Sequence, residues 1–276
     1  MFSYFDQVVE IALREDLEPH GDITSSAIHY KDKTCTFKVR SREQGGIMSG
    51  LQLVKKVYEI LDPSVKVLAK VNDGDNFEAN SELAIITGSS ESILKGERVF
   101  LNLLQRAISI ATYTKLFVKK ISHTKAKVLD TRKTSPGLRL LEKNATRDGG
   151  AYNHRFNLST GILIKDNHIA ACGGIEKAVK AAKENAPYLS KIEVEVDSLE
   201  QLRVILPLGV DVVLFDNFKI EELKTAVKMT QDMAITEASG GVNLDSISSI
   251  AETGVQYISI GALTQSTPQV DIGLDF

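Results

Sequence analysis

The stretch VLDTRKTSPGLRLLEKNATRDGGAYNHRFNLSTGILIKDNHI, residues Val128–Ile169, holds two short apolar runs separated by dense positive charge. Val128, Leu129 and Asp130 read as the end of a buried strand, and Thr131, Arg132, Lys133 and Thr134 as the loop leaving it. Ser135 and Pro136 follow as the N-cap and first-turn proline of a helix. Ile162, Leu163 and Ile164 repeat the arrangement, with Lys165, Asp166, Asn167 and His168 at the exit. Between Arg132 and Lys165, seven lysines and arginines outnumber two acids, a surplus of five positive charges in a chain that sums to −3. Such an island implies an anionic partner. Two strand ends delivering cationic side chains suit the carboxylates or phosphates of a small molecule, because a planar guanidinium grips either in two places.

Downstream the pattern recurs in IEVEV (192–196), DVVLF (211–215), AITEA (234–238) and QYISI (256–260), with helices predicted near 137–148, 175–186, 198–206, 219–231 and 243–252. Six βα repeats with right-handed crossovers close into a barrel or wind into an open sheet. Each strand exit carries polar chemistry: Arg132 and Lys133, Lys165 and Asn167, Glu195 and Asp197, Asp216 and Asn217, Glu237 and Ser239, Gly261. In a β/α barrel all exits meet at one mouth, whereas an open sheet gathers only those beside its switch point. A barrel is therefore expected over 111–266. That span is short of the roughly 250 residues of a complete eightfold barrel, so the ring should be incomplete, its gap covered by a neighbouring subunit.

Upstream, residues 1–110 read as a small α+β unit that opens with an amphipathic helix running to about Leu17. An alternating strand TCTFKVRSR, a helix at 51–61 ended by Pro63, and the strand pair in VKVLAKVNDGDNFEANSELAIITGSS follow. The last pattern has the look of a biotinyl or lipoyl half-barrel, but its hairpin tips present no lysine. ESILKGERVFLNLLQRAISIATYTKLFVKKI has a long helical period and reads as two helices carrying Arg98 and Arg106, the latter as a surface arginine. The tail 267–276 is expected to join the N-terminal unit.

Composition narrows the function. With 43% hydrophobic and 25% charged residues the chain reads as an ordinary soluble globular protein. Two cysteines, Cys35 and Cys172, exclude a disulfide framework and a zinc cluster and fit a reducing compartment. The N-terminus lacks a signal-peptide pattern, and no apolar run approaches the ~20 residues needed to cross a bilayer. A cytoplasmic location is expected. Nucleic-acid binding fits poorly with the acidic remainder and the lack of interleaved aromatics.

The exits offer a cationic half (Arg132, Lys133, His154, Arg155, Lys165) and an acidic pair (Glu195, Asp216). They also offer two glycine-bearing loops, EASGG (237–241) and IGALT (260–264). Backbone N–H groups of SGG and GA, placed before helices, suit a terminal phosphate. Paired carboxylates can hold Mg²⁺ with a diphosphate and stabilise a cation developing on a sugar. A small phosphorylated sugar plus a polycarboxylate is what the residues point to, and glycosyl transfer from a diphosphate uses every part. Glu193 reads as the outward-facing member of IEVEV, Asp130 as an orienting partner of Arg132, and Asn153 and His168 as either supporting groups or loop caps.

DTRKTSPGLR, GGAYNHR, LIKDNH, EVEVDSL, DNF, EASGG and IGALT, in this order, resemble the quinolinate phosphoribosyltransferase family, and EDLEPHGDITS and GERVFLNLLQRAISIAT resemble its N-terminal signatures. The resemblance implies an N-terminal α/β sandwich, an incomplete α/β barrel and a homodimer with shared sites. It implies conversion of quinolinate and phosphoribosyl diphosphate to nicotinate mononucleotide, diphosphate and CO2 with Mg²⁺, in NAD biosynthesis. By the same resemblance, Arg132, His154, Arg155 and Lys165 hold quinolinate, with Arg98 reaching in from the partner subunit. Lys133 lies between quinolinate and diphosphate, Glu195 and Asp216 serve the ribose and Mg²⁺, and Ser239, Gly240, Gly261 and Ala262 seat the 5′-phosphate. Departures from the family pattern are Ile110 for glycine, Gln265 for histidine, Asp148 for cysteine and Ala151 for glycine. A molybdenum-transport-associated relative of the same fold would keep the phosphate seat but accept another base. A non-catalytic sensor would not need both Glu195 and Asp216.

Overall fold

The computed structural model describes residues 4–28, 33–42 and 44–276; the first three residues of the stretch read as the opening helix lie outside them. In chain order the N-terminal half comprises α1 (Tyr4–Leu17), α2 (Ile23–Ile28), β1 (Thr34–Ser41), β2 (Gly46–Ile47), α3 (Leu51–Leu61), β3 (Lys66–Ala69), β4 (Asn76–Phe77), β5 (Glu82–Ser89) and α4 (Ser90–Lys120). It continues with β6 (Lys127–Leu129), α5 (Arg139–Asp148), β7 (Ile162–Ile164), α6 (Asp166–Cys172), α7 (Ile175–Asn185), β8 (Ile192–Val196), α8 (Leu199–Ile205), β9 (Val212–Asp216) and α9 (Ile220–Thr230). The last elements are β10 (Ile235–Ser239), α10 (Ile247–Ala251), β11 (Tyr257–Ser259), α11 (Ala262–Gln265) and β12 (Ile272–Asp275).

Two compact units result. The first joins Met1–Lys115, Thr134–Gly150 and Ser266–Phe276; the second joins Leu116–Lys133 and Ala151–Gln265. This partition differs from the expected bounds: the division within α4 falls after Lys115 instead of after 110, and α5, read as a barrel helix, clusters with the first unit.

The first unit is built on an antiparallel sheet in the order β12-β1-β5-β3, so the C-terminal tail supplies an edge strand. Alternation in β1 turns Phe37, Val39 and Ser41 inward, and α3 adds Leu53, Val54, Val57 and Tyr58 to the same core. The stretch expected to form two helices is the single 31-residue α4. Its one glycine does not break it, because Gly96 is where α4 meets α3: a Cβ there would lie 2.9 Å from Tyr58 and 3.0 Å from Val57. Arg106 is not a surface arginine. Its Nε and Nη2 donate to Glu142 Oε1 at 3.1 and 2.9 Å, and Glu142 is fully buried. The helix expected from Pro136 begins at Arg139, since Leu138 N donates to Ser135 O and closes a turn first. Ser135 N is instead taken by Glu142 Oε2 at 3.2 Å.

The second unit contains a six-stranded sheet in the order β6-β11-β10-β9-β8-β7 with every neighbouring pair parallel. Its strands are short and apolar and alternate with helices, the crossover connections that parallel pairing requires. β6 and β7 end the order, so the architecture is an incomplete α/β barrel. Tyr152 extends the free side of β6 by one bridge, through Tyr152 N to Val128 O and Asp130 N to Tyr152 O. The helix expected over 243–252 contracts to 247–251 because the Asn243 side chain accepts from the N–H groups of Asp245 and Ser246, holding those residues in a turn. Among the described residues, no helix is long and apolar enough to cross a membrane.

Candidate active site

In a parallel sheet all C-terminal ends lie along one edge, and the sequence places polar residues at each of them. The second unit gathers these into four groups.

At the exits of β6 and β11, Thr264 Oγ1 donates to Lys133 O at 2.7 Å. The Lys133 stem passes so near Gly261 that a Cβ there would lie 3.0 Å from Lys133 Cδ. Lys133, Gly261 and Ala262, the first residue of α11, therefore stand together. Gln265, one of the departures, folds over the same glycine, with Oε1 also 3.0 Å from that Cβ position.

At the exits of β9 and β10, Asp216 and Ser239 are register partners. Asn217 N donates to Ser239 O at 2.9 Å, and Asn217 Nδ2 donates to Asp216 Oδ2 at 2.8 Å. Gly240 has φ +95°, and a Cβ on it would meet Asn217 Oδ1 at 2.2 Å, so this turn accepts only glycine. The SGG amides are presented by a turn, not by a helix start, because α10 begins only at Ile247.

At the exits of β7 and β8, the Lys165 ammonium pairs with the Glu195 carboxylate. Lys165 N donates to His168 Nδ1 at 3.0 Å, which gives His168 a local capping role at α6.

The fourth group lies deeper. Asp130, fully buried at the end of β6, accepts from Asn153 Nδ2 at 2.7 Å and from His154 N at 2.8 Å. These bonds hold residues 153–154 beside β6. His154 Nδ1 accepts from Arg155 N at 2.8 Å, and His154 Nε2 lies 3.0 Å from Glu193 Oε2 and 3.7 Å from Glu237 Oε1. Arg155 Nη1 donates to Gly161 O at 2.8 Å. Burial lowers the Arg155 pKa from its usual range, and the neighbouring Arg132 charge adds to that, while Glu193 opposes it. Glu237 has its carboxyl pushed up to about 8, first by burial and then by the charge of Glu193.

Glu193 is thus a correction to the sequence reading. It is buried and faces inward, not outward. Strand side chains alternate, so residues 193 and 195 must share a face, and the inward placement of Glu195 already required that of Glu193. Glu237, noted only as a polar exit, belongs to the same buried group. Among the described residues, His154, Glu193 and Glu237 form a three-member set whose ligand atoms lie within 4.8 Å of one another, close enough to hold a metal ion. Glu195 and Asp216 are outside it.

Arg98 is exposed on α4 in the first unit. Of the other departures, Ile110 is fully buried in the core, Asp148 accepts the Ser49 hydroxyl at 2.6 Å, and Ala151 is buried.

Residues 22–108 match the family described as quinolinate phosphoribosyl transferase, N-terminal domain, and residues 110–275 match its C-terminal domain. The chain is 43% identical over 255 residues to the probable nicotinate-nucleotide pyrophosphorylase [carboxylating] of Bacillus subtilis, covering 92% of this chain and 88% of that protein. It is 40% identical over 280 residues to the nicotinate-nucleotide pyrophosphorylase [carboxylating] of Mycobacterium leprae, covering 99% and 98%. The crystal structure of nicotinate-nucleotide pyrophosphorylase from Ehrlichia chaffeensis superposes with a TM-score of 0.94 at 39% identity, covering 100% of this chain and 99% of that one. With both domains matched and relatives aligned over nearly their full length, the chain belongs to the quinolinate phosphoribosyltransferase family.

Proposed function

We propose that the chain is a carboxylating nicotinate-nucleotide pyrophosphorylase. It converts quinolinate and phosphoribosyl diphosphate to nicotinate mononucleotide, diphosphate and CO2, a step of de novo NAD biosynthesis. The observation that carries this reading is the meeting of cationic and acidic side chains from separate strands at one edge of the parallel sheet, in a chain matched over both domains of the family.

Arg132, Arg155 and Lys165 bind the two carboxylates of quinolinate, with His154 beside them. Arg98 of a second copy completes the grip in a homodimer. Lys133 lies between quinolinate and the diphosphate, and Ser239, Gly240, Gly261 and Ala262 seat the 5′-phosphate. Departure of diphosphate leaves positive charge on the ribose, which the carboxylates of Glu195 and Asp216 favour. The pyridine nitrogen then bonds to the ribose carbon. Once quaternary, that nitrogen stabilises the electron pair left when the adjacent carboxylate departs as CO2, and the ring carbon takes up a proton. The arginines must bind that carboxylate without holding it too firmly as it leaves.

Glu195 and Asp216 stand on neighbouring strands and offer hard oxygen donors, a set that fits Mg²⁺. Glu195 is already paired with Lys165, so these two carboxylates would hold Mg²⁺ through bound water. When bound, Mg²⁺ neutralises charge on the departing diphosphate. The free thiols of Cys35 and Cys172 agree with a cytoplasmic setting. The test is incubation of the purified protein with quinolinate, phosphoribosyl diphosphate and Mg²⁺. Nicotinate mononucleotide is the expected product, and its absence with both substrates intact refutes the assignment.

A further inference from the structure

His154 is engaged at both ring nitrogens by the protein itself. Nδ1 accepts the Arg155 N–H, and Nε2 faces Glu193 Oε2 at 3.0 Å. A neutral imidazole with its proton on Nε2 satisfies both contacts at once. This arrangement does not direct a ring nitrogen at a substrate carboxylate. It makes the ring a brace between Glu193 and the backbone of Arg155.

The brace crosses the barrel. Residues 152–154 are held beside β6 at one end of the sheet order, whereas Glu193 and Glu237 belong to β8 and β10. No sheet hydrogen bond joins β6 to β8, so the imidazole supplies a link that the ladder does not. It fixes Arg155 at the backbone, while Gly161 O fixes it at Nη1. Arg155 Nε is buried with no hydrogen-bond partner among the described residues. That Nε and the neighbouring Nη2 form an edge able to take a carboxylate in two places. Glu237 lies beside them, its Oε1 3.7 Å from His154 Nε2.

We propose that Glu193 is a positioning residue for quinolinate, acting through the His154 ring on the placement of Arg155. This rests on the reading of Arg155 as a carboxylate grip. It changes the part expected of His154 from direct ligand to linker.

The experiment is steady-state kinetics on Glu193→Gln and Glu193→Met, alone and combined with Arg155→Ala, each substrate being varied in turn. Glu193→Met is expected to raise the KM for quinolinate by about tenfold, the size of one lost hydrogen bond to a charged group, and to leave the KM for phosphoribosyl diphosphate within about twofold. Glu193→Gln keeps an acceptor for Nε2–H and is expected to recover most of that loss. With Arg155→Ala already in place, Glu193→Met should add less than about twofold, because the two act as one unit. His154→Asn, whose Oδ1 can replace Nδ1 as acceptor, should be milder than His154→Leu, and this pair carries the test if Glu193→Met folds poorly. Equal losses for Gln and Met, a matching rise in the other substrate's KM, or undiminished losses in the Arg155→Ala background each overturn the linkage. An unchanged quinolinate KM in Arg155→Ala alone overturns the grip itself and the proposal with it. A tightly bound divalent metal in the purified protein, lost in Glu237→Gln, also overturns it, because the same three side chains would then be ligands.

Discussion

Replacing Arg155 separates the two substrates. Its Nη1 donates to Gly161 O, and its Nε is buried with no hydrogen-bond partner among the described residues, so the proposed carboxylate contact is placed on the Nε and Nη2 edge. A carboxylate there accepts two charge-assisted hydrogen bonds, each worth about 1.5–3 kcal/mol. Arg155→Lys keeps the charge but offers a point donor in place of a fork, and the loss of one such bond corresponds to roughly 10- to 150-fold in quinolinate kcat/KM. Arg155→Ala loses both bonds, about 3 kcal/mol or more, so its kcat/KM falls by at least roughly 100-fold. Binding of phosphoribosyl diphosphate should remain within about twofold, since the proposed seat of its 5′-phosphate is drawn from the exits of β10 and β11. Initial rates of nicotinate mononucleotide formation measure the first quantity, and calorimetric titration with phosphoribosyl diphosphate measures the second. Equal loss of both substrates in a variant that melts like the parent would refute the assignment of Arg155 to quinolinate.

Three further outcomes follow from the same contacts. Arg106→Met strands the buried Glu142 carboxylate and should cost about 3–5 kcal/mol in urea unfolding; adding Glu142→Leu should restore much of this, and an unaltered midpoint in the single variant contradicts the pairing. Glu237 holds a proton in the folded state up to about pH 8 that the unfolded chain releases near the ordinary glutamate value of 4.5, so native stability falls as pH rises through that window. Glu237→Gln, always neutral, should flatten the decline in Tm between those pH values, and an unchanged slope shows that Glu237 is not its source. Finally, Arg98→Ala and Lys165→Ala proteins, each weak alone, should regain activity when subunits are mixed, because some shared sites then contain every residue; no recovery argues against an Arg98 contributed in trans.

The barrel strands were legible because each is a short apolar run closed by polar residues, and their observed bounds fall within a residue or two of those read from the sequence. Tertiary context altered the rest. The stretch read as two helices is the single α4, with α3 packed against its Gly96. Ser135 and Pro136 carried helix-start chemistry, but a turn to Leu138 intervenes and the buried Glu142 takes the Ser135 N–H. Arg106 looked like a surface charge because its partner lies 36 residues further on, beyond the reach of local pattern. Within the site, the groupings of Asp216 with Ser239 and of Lys133 with Gly261 rest on strand register, which sequence order does not disclose. The inward placement of Glu193 follows from strand parity with Glu195, but an acid inside a barrel needs a partner, and His154, which supplies it, lies on a separate loop.

The account stands on one mouth holding a dicarboxylate and a phosphorylated sugar together. A crystal structure with phosphoribosyl diphosphate and a nitrogen-free mimic of quinolinate, which binds but cannot react, tests it most directly. The expected result places the mimic on Arg132, Arg155 and Lys165 and the diphosphate sugar on Asp216, Ser239 and Gly240, with the ribose carbon facing the position of the missing nitrogen. Two ligands in separate regions, with Glu195 and Asp216 touching neither, would contradict it.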